Sequence, residues 1–104
     1  METYRVDFDT MDWTSPIPGV RHKLHASGPT VLRLVEYTGE MEPHWCDRGH
    51  IGYIVDGRFE IEFDDRTEIY ESGDGVFIPN GPEHKHKARV LTDAVTAVFI
   101  EDAR

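Results

Sequence analysis

Five side chains in two short stretches carry most of the chemistry available to this sequence. They are His44, Cys46 and His50 in "EPHWCDRGHIGYIVDG", and His84 and His86 in "GDGVFIPNGPEHKHKARV". Imidazole and thiolate are comparatively soft donors. Gathered together they suit zinc, iron(II), nickel, cobalt or copper better than magnesium or calcium. Cys46 is the single cysteine of the chain, so it has no partner for an internal disulfide. Whether these groups can act together depends on the elements that carry them.

His44 and Cys46 are two residues apart, which in an extended segment puts both side chains on one face. After the short turn "DRG", His50 opens a strand on which His50, Gly52 and Ile54 point the same way. Gly52 has no side chain and is expected to leave volume for a ligand beside that histidine. In the second stretch His84 and His86 share the phase of Ala88 and Val90, while Lys85, Lys87 and Arg89 take the opposite one. The two histidines therefore read as interior. Buried imidazoles need polar partners, and a metal ion is the most economical one.

Alternation with period two dominates the rest of the chain. In "GRFEIEFDD", Phe59, Ile61 and Phe63 lie on one face and Arg58, Glu60 and Glu62 on the other. Further strands are expected over 4–9, 20–26, 30–37, 51–55, 67–71, 75–78, 84–90 and 94–100. The runs 31–35 and 95–100 are almost continuously apolar and β-branched, and so read as covered on both faces. Turn signals such as "SPIPG", "SGP", "TGE", "SGDG" and "PNGP" separate these segments, and "IVDGRF" predicts a tight hairpin. About nine short strands with close turns point to an all-β sandwich or closed barrel.

The 104 residues suit one domain spanning 1–104. Twenty acidic against eleven basic residues give a formal charge of −9, a field that repels phosphate backbones, so nucleic acid is not an expected partner. No apolar run approaches the roughly 18 residues of a membrane span. The opening "METYRVDFDT" lacks the basic and apolar regions of an export signal, and a lone cysteine agrees with a reducing compartment. A cytoplasmic location is the expectation. "SGDG" lacks the lysine of a phosphate-binding loop, and His22 and His25 have no motif support and read as structural or surface residues.

With both stretches in order on an all-β background, the chain resembles a small single-domain cupin. The first cupin motif pairs two histidines one residue apart, then an acid, then a glycine. Here His44, Cys46, His50 and Gly57 fall at those positions. The second motif, a glycine, five residues, proline, one residue, glycine, two residues and histidine, is met by "GDGVFIPNGPEH" from Gly73 to His84. Cysteine thus replaces the usual second histidine and His50 the usual glutamate.

The resemblance implies a double-stranded β-helix, or jelly-roll barrel. It also implies a divalent transition metal held by His44, Cys46, His50 and His84, with His86 and Gly52 beside it or lining the cavity. A thiolate ligand would close the site, as in structural zinc centres. With Cys46 turned aside, the histidines leave the open face on which cupin dioxygenases hold iron. The expected function is a metal-dependent dioxygenase or isomerase acting on a small polar or anionic molecule. The alternatives are a binding or sensing module without catalysis, and a purely structural metal site. No catalytic residue is named by the sequence. A homodimer is the expected assembly, since small cupins pair through edge strands.

Overall fold

A computed structural model describes residues 4–103 of the chain; residues 1–3 and 104, the ends of the expected 1–104 domain and the start of the stretch read for an export signal, lie outside them. Among the described residues there are nine strands, two single turns of 3₁₀ helix and no α-helix. The strands are β1 (Thr14–Ile17), β2 (Val20–Ser27), β3 (Thr30–Thr38), β4 (His50–Asp56), β5 (Arg58–Glu62), β6 (Thr67–Glu71), β7 (Gly75–Ile78), β8 (Lys87–Val90) and β9 (Ala94–Asp102). They form a six-stranded sheet in the order β1-β2-β3-β9-β4-β7 and a three-stranded sheet in the order β6-β5-β8, antiparallel throughout. This is the jelly roll expected from the sequence.

The core lies between the sheets. Val35, Ile54, Val95, Ala97 and Phe99 from the larger sheet meet Phe59 and Ile61 from the smaller, all nearly inaccessible to solvent. Alternation puts these side chains inward and their neighbours outward, as the period of two demands. No helix among the described residues is long and apolar enough to cross a membrane.

Four expectations change. "IVDGRF" does not close a hairpin: β4 pairs with β7 and β9, while β5 pairs with β6 and β8, so Gly57 (φ +89°) carries the chain from one sheet to the other. Residues 4–9 form no strand; Asp7 instead caps a 3₁₀ turn at Phe8–Thr10. "SPIPG" is not only a turn, because Thr14–Ile17 adds β1 at a sheet edge, where Pro16 withholds no needed donor.

The fourth change concerns the runs 31–35 and 95–100, which are covered on one face only. Their outer side chains join two rows that cross four strands, Leu32–Ile100–Ile51–Phe77 and Leu34–Val98–Tyr53–Gly75. Ile51, Tyr53, Ile100 and especially Phe77 are exposed.

Candidate functional site

A cavity of about 240 Å³ opens between the sheets, and its two walls differ in character. One is apolar, formed by Tyr37, Met41, Phe59, Ile61, Val76 and Phe99. The other gathers Arg33, His44, Cys46, His50, His86 and Glu101. The sequence stretches that supply the histidines are joined by a pair of backbone bonds. Cys46 N–H donates to the His86 carbonyl and His86 N–H to the Cys46 carbonyl, each at 2.9 Å.

His86 is only 4% exposed. Its Nδ1 lies 3.1 Å from the His84 carbonyl oxygen. A carbonyl only accepts, so Nδ1 carries the proton and Nε2 the lone pair. That Nε2 is buried and has no hydrogen-bond partner. Burial pushes the His86 pKa below the usual imidazole value. The bond to His84 opposes this, and the neighbouring His50 and His44 add to the lowering. The ring is therefore held neutral, the form in which imidazole binds a metal.

His50, the first residue of β4, meets His86 edge to face with ring centroids 5.2 Å apart. Its Nδ1 is 2.7 Å from Glu101 Oε2. Glu101 also faces Arg33 Nη1 at 3.4 Å. Burial alone would raise the Glu101 pKa, but the His50 bond and the Arg33 charge outweigh it and hold the carboxyl below its ordinary range. His44 stands exposed at the cavity mouth with Nδ1 3.2 Å from the Glu42 carbonyl oxygen. Cys46 is half-buried, and its Sγ accepts from the Arg48 N–H at 3.5 Å. All three cavity imidazoles thus bind protein oxygen through Nδ1 and keep Nε2 for another partner. As positioned, no three His, Cys, Asp or Glu side chains among the described residues are grouped closely enough to hold one ion.

Two expected residues stand elsewhere. His84 ends the 3₁₀ turn Pro82–His84, is partly exposed, points Nε2 towards Glu83 at 3.7 Å and does not line the cavity. The turn interrupts the strand, so the interior phase read from Val90 back through Ala88 reaches His86 and stops there. Gly52 does not line the cavity either. A Cβ there would lie 1.9 Å from the Val98 carbonyl oxygen and 2.8 Å from Phe99 Cδ1, so the glycine lets β4 and β9 approach rather than making room for a ligand.

Glu101, Arg33 and Tyr37 were not singled out by the motifs. A signal for Glu101 was present: it continues the phase of Val95, Ala97 and Phe99, a charge at the end of an otherwise buried row. Tyr37, with its pKa pushed by burial to about 12, presents a protonated phenol.

A family model described as the cupin domain matches residues 33–101. No curated protein matches the chain. Among solved structures, KdgF from a Halomonas species is 27% identical, covering 92% of this chain and 91% of that chain with a TM-score of 0.73. An RmlC-like cupin from Shewanella frigidimarina is 15% identical, covering 99% and 94% with a TM-score of 0.75. The polyketide cyclase RemF from Streptomyces resistomycificus is 20% identical, covering 99% and 81% with a TM-score of 0.77.

Proposed function

The chain belongs to the cupin family, and from that membership we propose that it binds a divalent transition metal at the polar wall of the barrel cavity, beside a small-molecule ligand. The observation that carries this reading is the buried, unpartnered Nε2 of His86 next to the His50 ring. An orphaned buried nitrogen is costly unless something binds it. The donors fit a transition metal in kind: His50 and His86 are already neighbours, and His44 lines the same cavity. Cys46 is the further donor, and its thiolate would favour zinc, cobalt or copper. His86 takes the role that the motif gave to His84.

A metal held there supplies Lewis-acid polarisation of an oxygen on the ligand. The protein's own groups do the rest. Tyr37 offers a protonated hydroxyl, Glu101 stays ionised, and Met41, Phe59, Ile61 and Phe99 exclude water from the ligand's apolar part. Within the small polar or anionic class expected from the sequence, this cavity favours a molecule with an apolar body and an oxygen-bearing head. RemF, a polyketide cyclase by name, shares the fold at 20% identity and does not carry its reaction to this chain. The dioxygenase and isomerase readings, and the binding module without catalysis, differ in turnover. The test is cobalt(II) titration of metal-free protein followed by visible absorption, then assay of cobalt- and iron-loaded protein against small oxygenated aromatics and acids. Wild-type protein is expected to give a saturable cobalt spectrum that His86→Ala loses; an identical spectrum in both would overturn the assignment.

The homodimer belongs to the same reading, through a sheet face rather than an edge. Two copies each at −9 repel except where charge is absent, and the rows through Ile51, Tyr53, Phe77 and Ile100 carry none. Their exposed area is on the order of several hundred Å², the size that marks contact sites on monomers. Light scattering on Phe77→Glu is expected to show a monomer where wild type is a dimer.

A further inference from the structure

Four polar side chains form a line across the inner face of the six-stranded sheet, one on each of four adjacent strands: His22 on β2, Arg33 on β3, Glu101 on β9 and His50 on β4. The contacts are continuous. Arg33 Nε donates to His22 Nδ1 at 3.0 Å, Arg33 Nη1 reaches Glu101 Oε2 at 3.4 Å, and the same oxygen lies 2.7 Å from His50 Nδ1. The side chain of Glu101 is 10% exposed and that of Arg33 15%. Neither is a surface ion pair free to drift.

The chemistry of the line fixes its proton order. A guanidinium only donates, so His22 Nδ1 must accept. A carboxylate only accepts, so His50 must offer its proton from Nδ1. In solution a neutral imidazole has no such constraint, and either nitrogen can carry the proton. The position of this proton decides whether His50 presents a lone pair or an N–H at Nε2.

We propose that Glu101, clamped by Arg33, is a positioning residue that pins His50 as the Nδ1–H tautomer and so presents the His50 Nε2 lone pair at the cavity wall beside His86. Outer carboxylates play this part for metal-binding histidines generally, and losing one weakens metal binding about 10–100-fold. His50 stands where the first cupin motif carries an acid, so the partner is specific to this chain's substitution. The tautomer claim stands on the hydrogen-bond geometry; only its consequence for metal affinity rests on the proposed function.

The test reads the tautomer first, in metal-free, nitrogen-15-labelled protein at about pH 8, where imidazoles are neutral. Long-range proton–nitrogen correlation is expected to show His50 protonated at Nδ1. Glu101→Leu is expected to move it towards the Nε2–H form, and Glu101→Gln, whose amide oxygen still accepts, to keep it. Cobalt(II) affinity should then fall at least about 10-fold in the leucine variant and less in the glutamine variant. An Nε2–H form in wild type, or an unchanged tautomer in Glu101→Leu, overturns the proposal. Should the leucine variant fail to fold, the wild-type spectrum decides alone. Wild-type protein that takes up no cobalt yet shows Nδ1–H, lost in the leucine variant, upholds the positioning role and overturns the metal reading.

Discussion

The inner faces of the two sheets are built for different ends. The three-stranded sheet is apolar there, through Phe59 and Ile61 on β5 and Ala88 and Val90 on β8. The six-stranded sheet is equally apolar through Val35, Ala97 and Phe99, but at one end carries His22, Arg33, Glu101 and His50. A buried polar row is tolerated only when its members satisfy one another. Three contacts do so within the row. The neighbouring His86 Nε2 remains unsatisfied. The contrast sets the chemistry at one end of the six-stranded sheet and leaves the rest of both inner faces to packing.

Substitutions should respect that division. The largest effect is expected from the apolar wall: Phe59→Ala should lower the unfolding free energy by about 3–5 kcal/mol in a urea titration, because the surrounding strands cannot close over the space left. A loss below about 1 kcal/mol would mean that this wall is not tightly packed. Next comes His86→Asn on the polar wall. It should weaken cobalt(II) binding at least about 100-fold while changing stability by under about 1.5 kcal/mol, whereas His84→Asn, two residues away and outside the cavity, should leave binding within about threefold. Equal effects of the two would erase the distinction between the turn and the strand.

A smaller effect comes from pH. An unfolded imidazole takes up its proton near pH 6.5, but burial keeps the pKa of folded His86 lower, and of His22 likewise. Below pH 6.5 the unfolded chain therefore binds more protons, and stability falls as pH drops, by at most about 1.4 kcal/mol per unit for each group. Glu101 acts in a lower window. Its folded pKa is depressed, so its contribution is complete above about pH 4.5 and is lost on further acidification. The melting temperature of metal-free protein should fall between pH 6.5 and 5, and less steeply in His86→Asn. The smallest effect is expected on the outside: Arg89→Ala, which removes an exposed pair with Glu60, should cost under about 0.5 kcal/mol by urea titration.

Much of this was legible in the chain itself. β6 and β7 fall where alternation placed them, over 67–71 and 75–78, because covered and open positions alternate along each. β1 and the sheet change at Gly57 were not legible, since a proline edge strand and an Asp-Gly crossover leave the same local marks as turns. The site divided similarly. His44, Cys46, His50 and His86 line the cavity as spacing suggested, while the single 3₁₀ turn that cuts the strand leaves His84 outside it.

The sequence by itself determined an all-β chain of alternating strands, the cupin membership and the two histidine-bearing stretches, because period and motif spacing are local properties. Only the tertiary structure decided which imidazole faces inward, that Glu101 meets His50 across 51 residues of chain, and that Gly52 serves strand packing. Those outcomes depend on which strands lie side by side. Strand neighbours are chosen by burial of the whole inner face, and no short window of residues contains that information.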